Sequence, residues 1–372
     1  MADKDIPPTQ LADSRPQLDA PLRVSIPVNA PARVSKVSQD AHIRSNAFSP
    51  AALAKTKQIL PSLVGVNRGS SVPSSSSSSS SSPSTSSTSS GGDADNAAIK
   101  TAISDFSVLA FSSRRSGKKD VEGTAYVSLG VIYDNQGDYL RAIENYKLYA
   151  GICEEIGDIV GHACACNCLG VNYMLLACPP TDAGFINGFK ATAEVVEHLN
   201  AAVLYHSKHL EFGPDNGGRF VANTNLGLCL GMLGDAGRSA KHHQDSLRIA
   251  IKMQTLYGQA IAVGNLGMLA LKRGDPATSR TCFEQHLQLV QALLDSDAEI
   301  NAWKLLSSLN SSEQRFGDAL DSLEQARRVA TREGHLNELR RINCLIGVAQ
   351  AGLSFESHVE GLAAAAAAAA AV

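Results

Sequence analysis

The sequence predicts an all-α right-handed superhelical solenoid of antiparallel helix pairs behind a disordered N-terminal arm. Three observations lead there. A Leu-Gly dipeptide recurs as Leu129-Gly130, Leu169-Gly170, Leu226-Gly227 and Leu266-Gly267, and continues more weakly as Leu306-Ser307 and Ile346-Gly347, at spacings of 40, 57, 40, 40 and 40 residues. Around each dipeptide an apolar run leads into a turn such as Gln136-Gly137-Asp138, Leu233-Gly234-Asp235 or Arg273-Gly274-Asp275, and then into a second amphipathic run. The first 95 residues show none of this periodicity. A fixed internal period is the mark of stacked supersecondary units that bury their apolar faces only against neighbours.

Residues 1–95 are interrupted by Pro7, Pro8, Pro16, Pro21, Pro27, Pro31, Pro50 and Pro61 and end beyond a serine run from Ser74 to Ser82. Such a segment buries too little apolar surface to offset its ordering entropy, so an arm or tether is expected. The stretch from Pro50 to Leu60 could form a transient helix within it. Residues 96–118 read as a capping helix and linker, because Ala98, Ile99, Ala102, Ile103, Phe106 and Leu109 fall on one helical face. The array itself is expected over 119–356 as about six helix pairs, and 357–372 as a low-complexity alanine-rich tail.

Within a pair the two dipeptide residues have different tasks. The leucine is core. The glycine lets the second helix approach closely, and a small residue meets it from that side: Ala142, Ala202, Ser239, Ser279 or Ala319. One turn further on, Tyr146, His206, His243 and Phe283 are placed to fill the wider gap. The spacing of 57 marks an insertion in the second unit. Between Gly170 and Ala202 lie 31 residues where other units have 11. Cys178-Pro179-Pro180 is expected to break the first helix, and residues 178–199 to add a loop and lengthen the second helix. Insertions of this kind project from one face of an array, either as functional surface or as a tolerated loop.

This grammar resembles the tetratricopeptide repeat (TPR), and its period and wording are similar to the Pins/LGN class of TPR scaffolds. The residues that carry the resemblance are Asn223-Thr224-Asn225-Leu226-Gly227, Val263-Gly264-Asn265-Leu266-Gly267, the second-helix run from Ser279 to Leu287 and that from Tyr205 to Leu210, and the likeness extends from Val121 to Leu353. No G-protein regulatory motif of that class follows. The resemblance implies a concave groove lined by first helices, with asparagines and arginines holding an extended ligand. Asn167, Asn225, Asn265, Lys304 and Arg341 are the polar candidates at groove positions, and Val171, Leu228 and Met268 the apolar floor. An asparagine can pair with both N–H and C=O of a peptide; the alternative for each is a helix-capping or inter-repeat hydrogen bond. The position five before the leucine holds Thr124, Cys164, Val221, Ile261 and Asn301, so a more apolar groove is expected than in readers of acidic peptides. The lysine and asparagine set of chaperone-tail clamps does not occur.

Composition narrows the function. Net charge is −3 over 372 residues, too little for a field that would draw the chain to nucleic acid. Met1 to Asp5 does not open a secretory signal, and no run of about twenty apolar residues suggests a membrane span. A cytoplasmic setting, with the eight cysteines reduced, is the expectation. Cys164, Cys166 and Cys168 invite a metal reading, but their spacing is not that of a structural zinc site and Cys166 lies on a different helical face, so packing is expected and no metal or other cofactor. Gly213 to Arg219 lacks the ending of a phosphate loop and reads as an inter-repeat turn. Arg114-Arg115-Ser116-Gly117-Lys118-Lys119 is the one basic run, a solvated linker or a modification, localisation or tubulin-contact site. No convergent catalytic cluster or small-molecule site is visible. The expected function is a non-enzymatic adaptor that holds peptide or helical segments of other proteins, with a cytoskeletal or ciliary assembly as one setting. The alternative is a structural subunit embedded in a larger complex.

Overall fold

The computed structural model describes residues 91–177, 192–213 and 215–370. Most of the arm and the loop of the insertion lie outside the described residues. Twelve helices are described: α1 (Gly91–Ser116), α2 (Lys119–Gln136), α3 (Tyr139–Ile156), α4 (Ile159–Ala177), α5 (Ala193–Phe212), α6 (Asn216–Met232), α7 (Ala236–Lys252), α8 (Leu256–Lys272), α9 (Pro276–Ala292), α10 (Ser296–Ser312), α11 (Phe316–Arg332) and α12 (Leu336–Ala370). Each packs on the next in the chain, giving an all-α solenoid of antiparallel pairs. Helices α2/α3, α4/α5, α6/α7, α8/α9 and α10/α11 are the five complete units.

In three of the five units the turn within the pair is written in two residues; in the fifth the chain turns at Gln314 (φ 61°) and Arg315 offers no side-chain cap. At Gly137 the chain enters the left-handed region (φ 77°), the N–H of Asp138 returns to the carbonyl of Tyr133 at 2.9 Å, and the Asp138 carboxylate accepts from the N–H of Arg141 at 3.2 Å. Thus the glycine closes one helix with a C-cap and the aspartate opens the next with an N-cap. Gly234-Asp235 and Gly274-Asp275 repeat the device, with Asp235 and Asp275 accepting from Arg238 and Thr278 at 3.0 Å. In the second unit, where the insertion replaces this turn, Thr192 caps α5 instead. Helix α5 has 20 residues against 17 in α7, α9 and α11.

The close approach inside each pair depends on the Leu-Gly glycine. A methyl group at Gly130 would lie 2.6 Å from the ring of Tyr146; at Gly170, Gly227 and Gly267 it would lie 2.5, 2.4 and 2.7 Å from His206, His243 and Phe283. Ala142, Ala202, Ser239, Ser279 and Ala319 are fully buried on the opposite side, and Ser239 donates its hydroxyl to the carbonyl of Gly227 at 2.7 Å. The fifth unit has Ser307 in place of glycine and Leu323 in place of the ring, both buried.

Two features differ from expectation. The sixth unit is one helix: α12 runs 35 residues from Leu336 into the alanine run, and no second helix follows among the described residues. No Gly-Asp turn interrupts it, and alanine has the highest helix propensity of all residues, so the helix simply continues. Helix α1 begins at Gly91, a few residues before the expected boundary. In addition, α4 is long and apolar enough by composition to cross a membrane, although no such run was expected. Its apolar character fits a core helix, because Ala163, Ala165, Cys166, Leu169 and Leu175 are buried while α3 and α5 pack on it from two sides.

The ring positions also set the response to acid. Burial lowers His206 to about 3 and His243 to about 4, and does the same to His209, to about 4. The unfolded chain therefore binds these protons from about pH 6.5 downward while the folded chain does not, so stability is full above that value and falls as pH drops toward 4. Each histidine adds a slope of up to about 1.4 kcal/mol per pH unit in that window. Thermal melts between pH 7.5 and 4.5 should show a falling midpoint, and His206→Phe should flatten the fall. Gly227→Ala should cost about 1–3 kcal/mol in urea unfolding, and adding His243→Ala should recover part of the loss.

Candidate partner-binding surface

Three successive pairs of first helices, α4/α6, α6/α8 and α10/α12, are tied directly by polar contacts, and α8 and α10 share one apolar core. The amide of Asn225 in α6 donates to Oδ1 of Asn167 in α4 at 3.3 Å, Lys272 of α8 reaches the carbonyl of Gly231 at 3.4 Å, and Lys304 of α10 pairs with Glu338 of α12 at 2.9 Å. This places the first helices from α4 to α12 in one continuous layer, the geometry a groove requires. Access to that layer is uneven. From Phe220 to Leu230 every residue of α6 is buried except Leu228, and from Gly258 to Ala270 every residue of α8 is buried except Leu266 and Met268.

The sequence-predicted residues consequently separate into three groups. Asn225 is 1% exposed and Asn265 2%, so neither presents its amide to an incoming peptide in this conformation. Asn225 makes the inter-repeat bond to the half-buried Asn167. Among the described residues Asn265 has no hydrogen-bond partner for either polar atom, which is costly for a buried amide. Leu228, Met268 and Val171 are half-buried, and Met268 packs at the margin of the core formed by Val263, Phe283, Leu287 and Leu306. Lys304 and the exposed Arg341 converge on one carboxylate, Glu338, Arg341 at 3.0 Å. Burial acts to raise the Glu338 carboxyl, but the hydrogen bond from Lys304 and the two positive charges outweigh it and hold the group below its ordinary range.

Toward the C-terminal end the groove positions change character. Leu345 stands in α12 where Asn225 and Asn265 stand in α6 and α8, Val348 stands where Leu228 and Met268 do, and both are exposed, Val348 at 69%. Phe355, Val359 and Leu362 continue an exposed apolar series along the same helix. Sequence reasoning placed Arg341 here but passed over Glu338, Leu345 and Val348, although the last two follow from the same register.

Other polar side chains were also missed. Nδ1 of His242 lies 2.9 Å from Oδ1 of Asn223. Tyr173 and Tyr205 stack with centroids 5.7 Å apart, and the ammonium groups of Lys147 and Lys208 lie over the Tyr173 and Tyr205 rings, 5.6 and 5.7 Å from their centroids. Tyr173 lies four residues after Leu169, as Tyr133 does after Leu129, and that recurrence was the available signal. The basic run before the array is the α1–α2 turn, where Lys119 pairs with Glu155 at 3.0 Å. Gly213 to Arg219 spans the junction of α5 and α6, with Asp215 capping α6 at 2.6 Å. Cys166 and Cys168 are buried and Cys164 is exposed; the seven described cysteines are free, and among the described residues no three His, Cys, Asp or Glu groups converge as metal ligands.

Residues 258–332, which span α8 to α11, match the Tetratricopeptide repeat family model. The sequence matches none of the curated proteins with which it was compared. Among solved structures it is similar to BtubC (BKLC) from P. vanneervenii at 15% identity and a TM-score of 0.50, over 64% of this chain and 92% of that one. It is also similar to a Signal Transduction ATPase with Numerous Domains carrying a tetratricopeptide repeat sensor, from Pyrococcus horikoshii, at 12% identity and a TM-score of 0.49, over 84% of this chain and 42% of that one. At such identities the likeness to BtubC establishes the fold alone.

The unpartnered Asn265 amide generates a direct test. Asn265→Leu should raise the urea midpoint, by an amount corresponding to about 1–3 kcal/mol. A lower midpoint would mean that the asparagine is satisfied in solution by a water or a ligand.

Proposed function

We propose that the chain is a non-enzymatic adaptor that holds segments of partner proteins on the first-helix face of its TPR array. The observation that carries this reading is the layer of first helices from α4 to α12, joined through Asn167–Asn225, Lys272–Gly231 and Lys304–Glu338 and, between α8 and α10, through a shared apolar core. Such a layer offers an extended or helical peptide contacts from several units at once. The burial of Asn225 and Asn265 moves the working part of the face toward the C-terminal end, where Leu345, Val348 and Arg341 are exposed. An apolar segment carrying an acidic residue for Arg341 fits that end. The sequence likeness to the Pins/LGN class supports the same reading. The free thiols suit a reducing, cytoplasmic setting, and a cytoskeletal or ciliary assembly belongs to the proposal as one context.

A second reading has its own support. The near-complete burial of α6 and α8 leaves little open groove at the centre of the array, as expected of a structural subunit that holds no exchangeable peptide. Proximity labelling with the full chain separates the two. Arg341→Glu/Val348→Glu, at exposed positions, should leave helical content by circular dichroism unchanged and remove a discrete set of partners. An unchanged set from the folded variant would favour the structural-subunit reading.

A further inference from the structure

Among the described residues, α12 shows a vacancy that the preceding first helices do not have. Gly130, Gly170, Gly227 and Gly267 are each covered by a ring of the second helix in their own unit, whereas Gly347 has no atom within 4 Å of the position its Cβ would take. Asn343 shows the same contrast. It stands three residues before Ile346 as Asn223 stands before Leu226, yet Asn223 is buried and bonded to His242 of α7, while Asn343 is exposed. Among the described residues, the face of α12 that a second helix would cover is therefore open.

An open cleft of about 730 Å³ adjoins that face, lined by Arg327, Arg328, Thr331 and Arg332 of α11 and by Leu339 and Asn343 of α12. Its charge is strongly one-sided. Arg327 pairs with Glu324 at 2.7 Å within α11 and Arg332 with Glu333 at 2.9 Å at its C-terminus, both at exposed positions, contacts that contribute little and exchange readily. Arg328 makes no ion pair among the described residues. Three guanidiniums against two loosely held carboxylates, with the exposed Arg340 nearby on α12, form a surface suited to carboxylates, which arginine can engage through two parallel hydrogen bonds. Leu339 and the Thr331 methyl supply an apolar wall, and the Asn343 amide offers a donor and an acceptor to a backbone.

We propose that this cleft is a second docking site, distinct from the first-helix groove, and that its occupant is a glutamate- or aspartate-rich segment of a partner protein seated where the second helix of a sixth unit would pack. Charge complementarity selects the occupant: a neutral or basic segment would leave Arg328 without an ion pair and the excess positive charge of the cleft uncompensated. The site stands independently of the groove, because its lining comes from α11 and from a different face of α12 than Leu345 and Val348.

The test uses the full chain and a fluorescein-labelled oligoglutamate of about twenty residues, read by anisotropy. Low salt, where exposed charge pairs are least screened, is the starting condition. Arg328→Glu/Arg332→Glu should weaken binding by at least about tenfold. Arg248→Glu on α7, which removes a charge elsewhere, should leave binding within about twofold of the wild type, and so should Val348→Glu, which disables the groove. A serine-glycine peptide of equal length should not bind. Absence of oligoglutamate binding, or equal losses in the Arg328/Arg332 and Arg248 variants, would overturn the proposal. Weakening by Val348→Glu alone would assign the acidic segment to the groove and overturn the separate site.

Discussion

The contact between a side-chain-free glycine on one helix and a ring on its partner governs this protein. With hydrogen at the glycine, Tyr146, His206, His243 and Phe283 lie flat against the backbone of the first helix. The fully buried Ala142, Ala202, Ser239 and Ser279 keep the opposite side equally close. The separation within a pair sets how the pair stacks on the next, so a geometry fixed at one residue recurs through the array. The two caps of each Gly-Asp turn reinforce it by fixing where one helix stops and the next starts.

Using histidine for two of the four rings has a consequence that tyrosine and phenylalanine would not have. A buried imidazole must remain neutral, and His206 finds no hydrogen-bond partner for either nitrogen. Packing at the second and third units is thereby linked to pH, while the first and fourth use rings that do not titrate in the physiological range. The same economy of space explains the closed centre. In α6 and α8, small residues such as Ala222, Gly264 and Gly267 let neighbouring helices approach until Asn225 and Asn265 are enclosed. Toward the end of the array, α12 has fewer neighbours, and equivalent positions remain open.

The C-terminal end of the array therefore carries the accessible groove positions. An interior unit uses its first helix against its own second helix and against the units on both sides. Among the described residues, helix α12 lacks one of these neighbours, so Gly347, Asn343 and the α11 arginines are exposed on one side while Leu345 and Val348 are exposed on another. In the adaptor reading proposed above, the interior units supply the packed frame and the terminal unit supplies the surfaces.

The sequence by itself determined the class of fold, the register of the units, the glycine, small-residue and ring partners, and the positions of the Gly-Asp turns, because each of these is a local steric demand that recurs at fixed spacing. Tertiary structure decided which of the register-equivalent residues are accessible. Asn225, Asn265 and Leu345 occupy one place in the repeat, yet the first two are enclosed and the third is open, since burial depends on how many neighbouring helices surround a position. It also decided that Lys304 and Arg341 share Glu338, and that the sixth unit ends as one helix. Those outcomes depend on contacts between units and on where the stacking stops, which a repeat read one copy at a time does not contain.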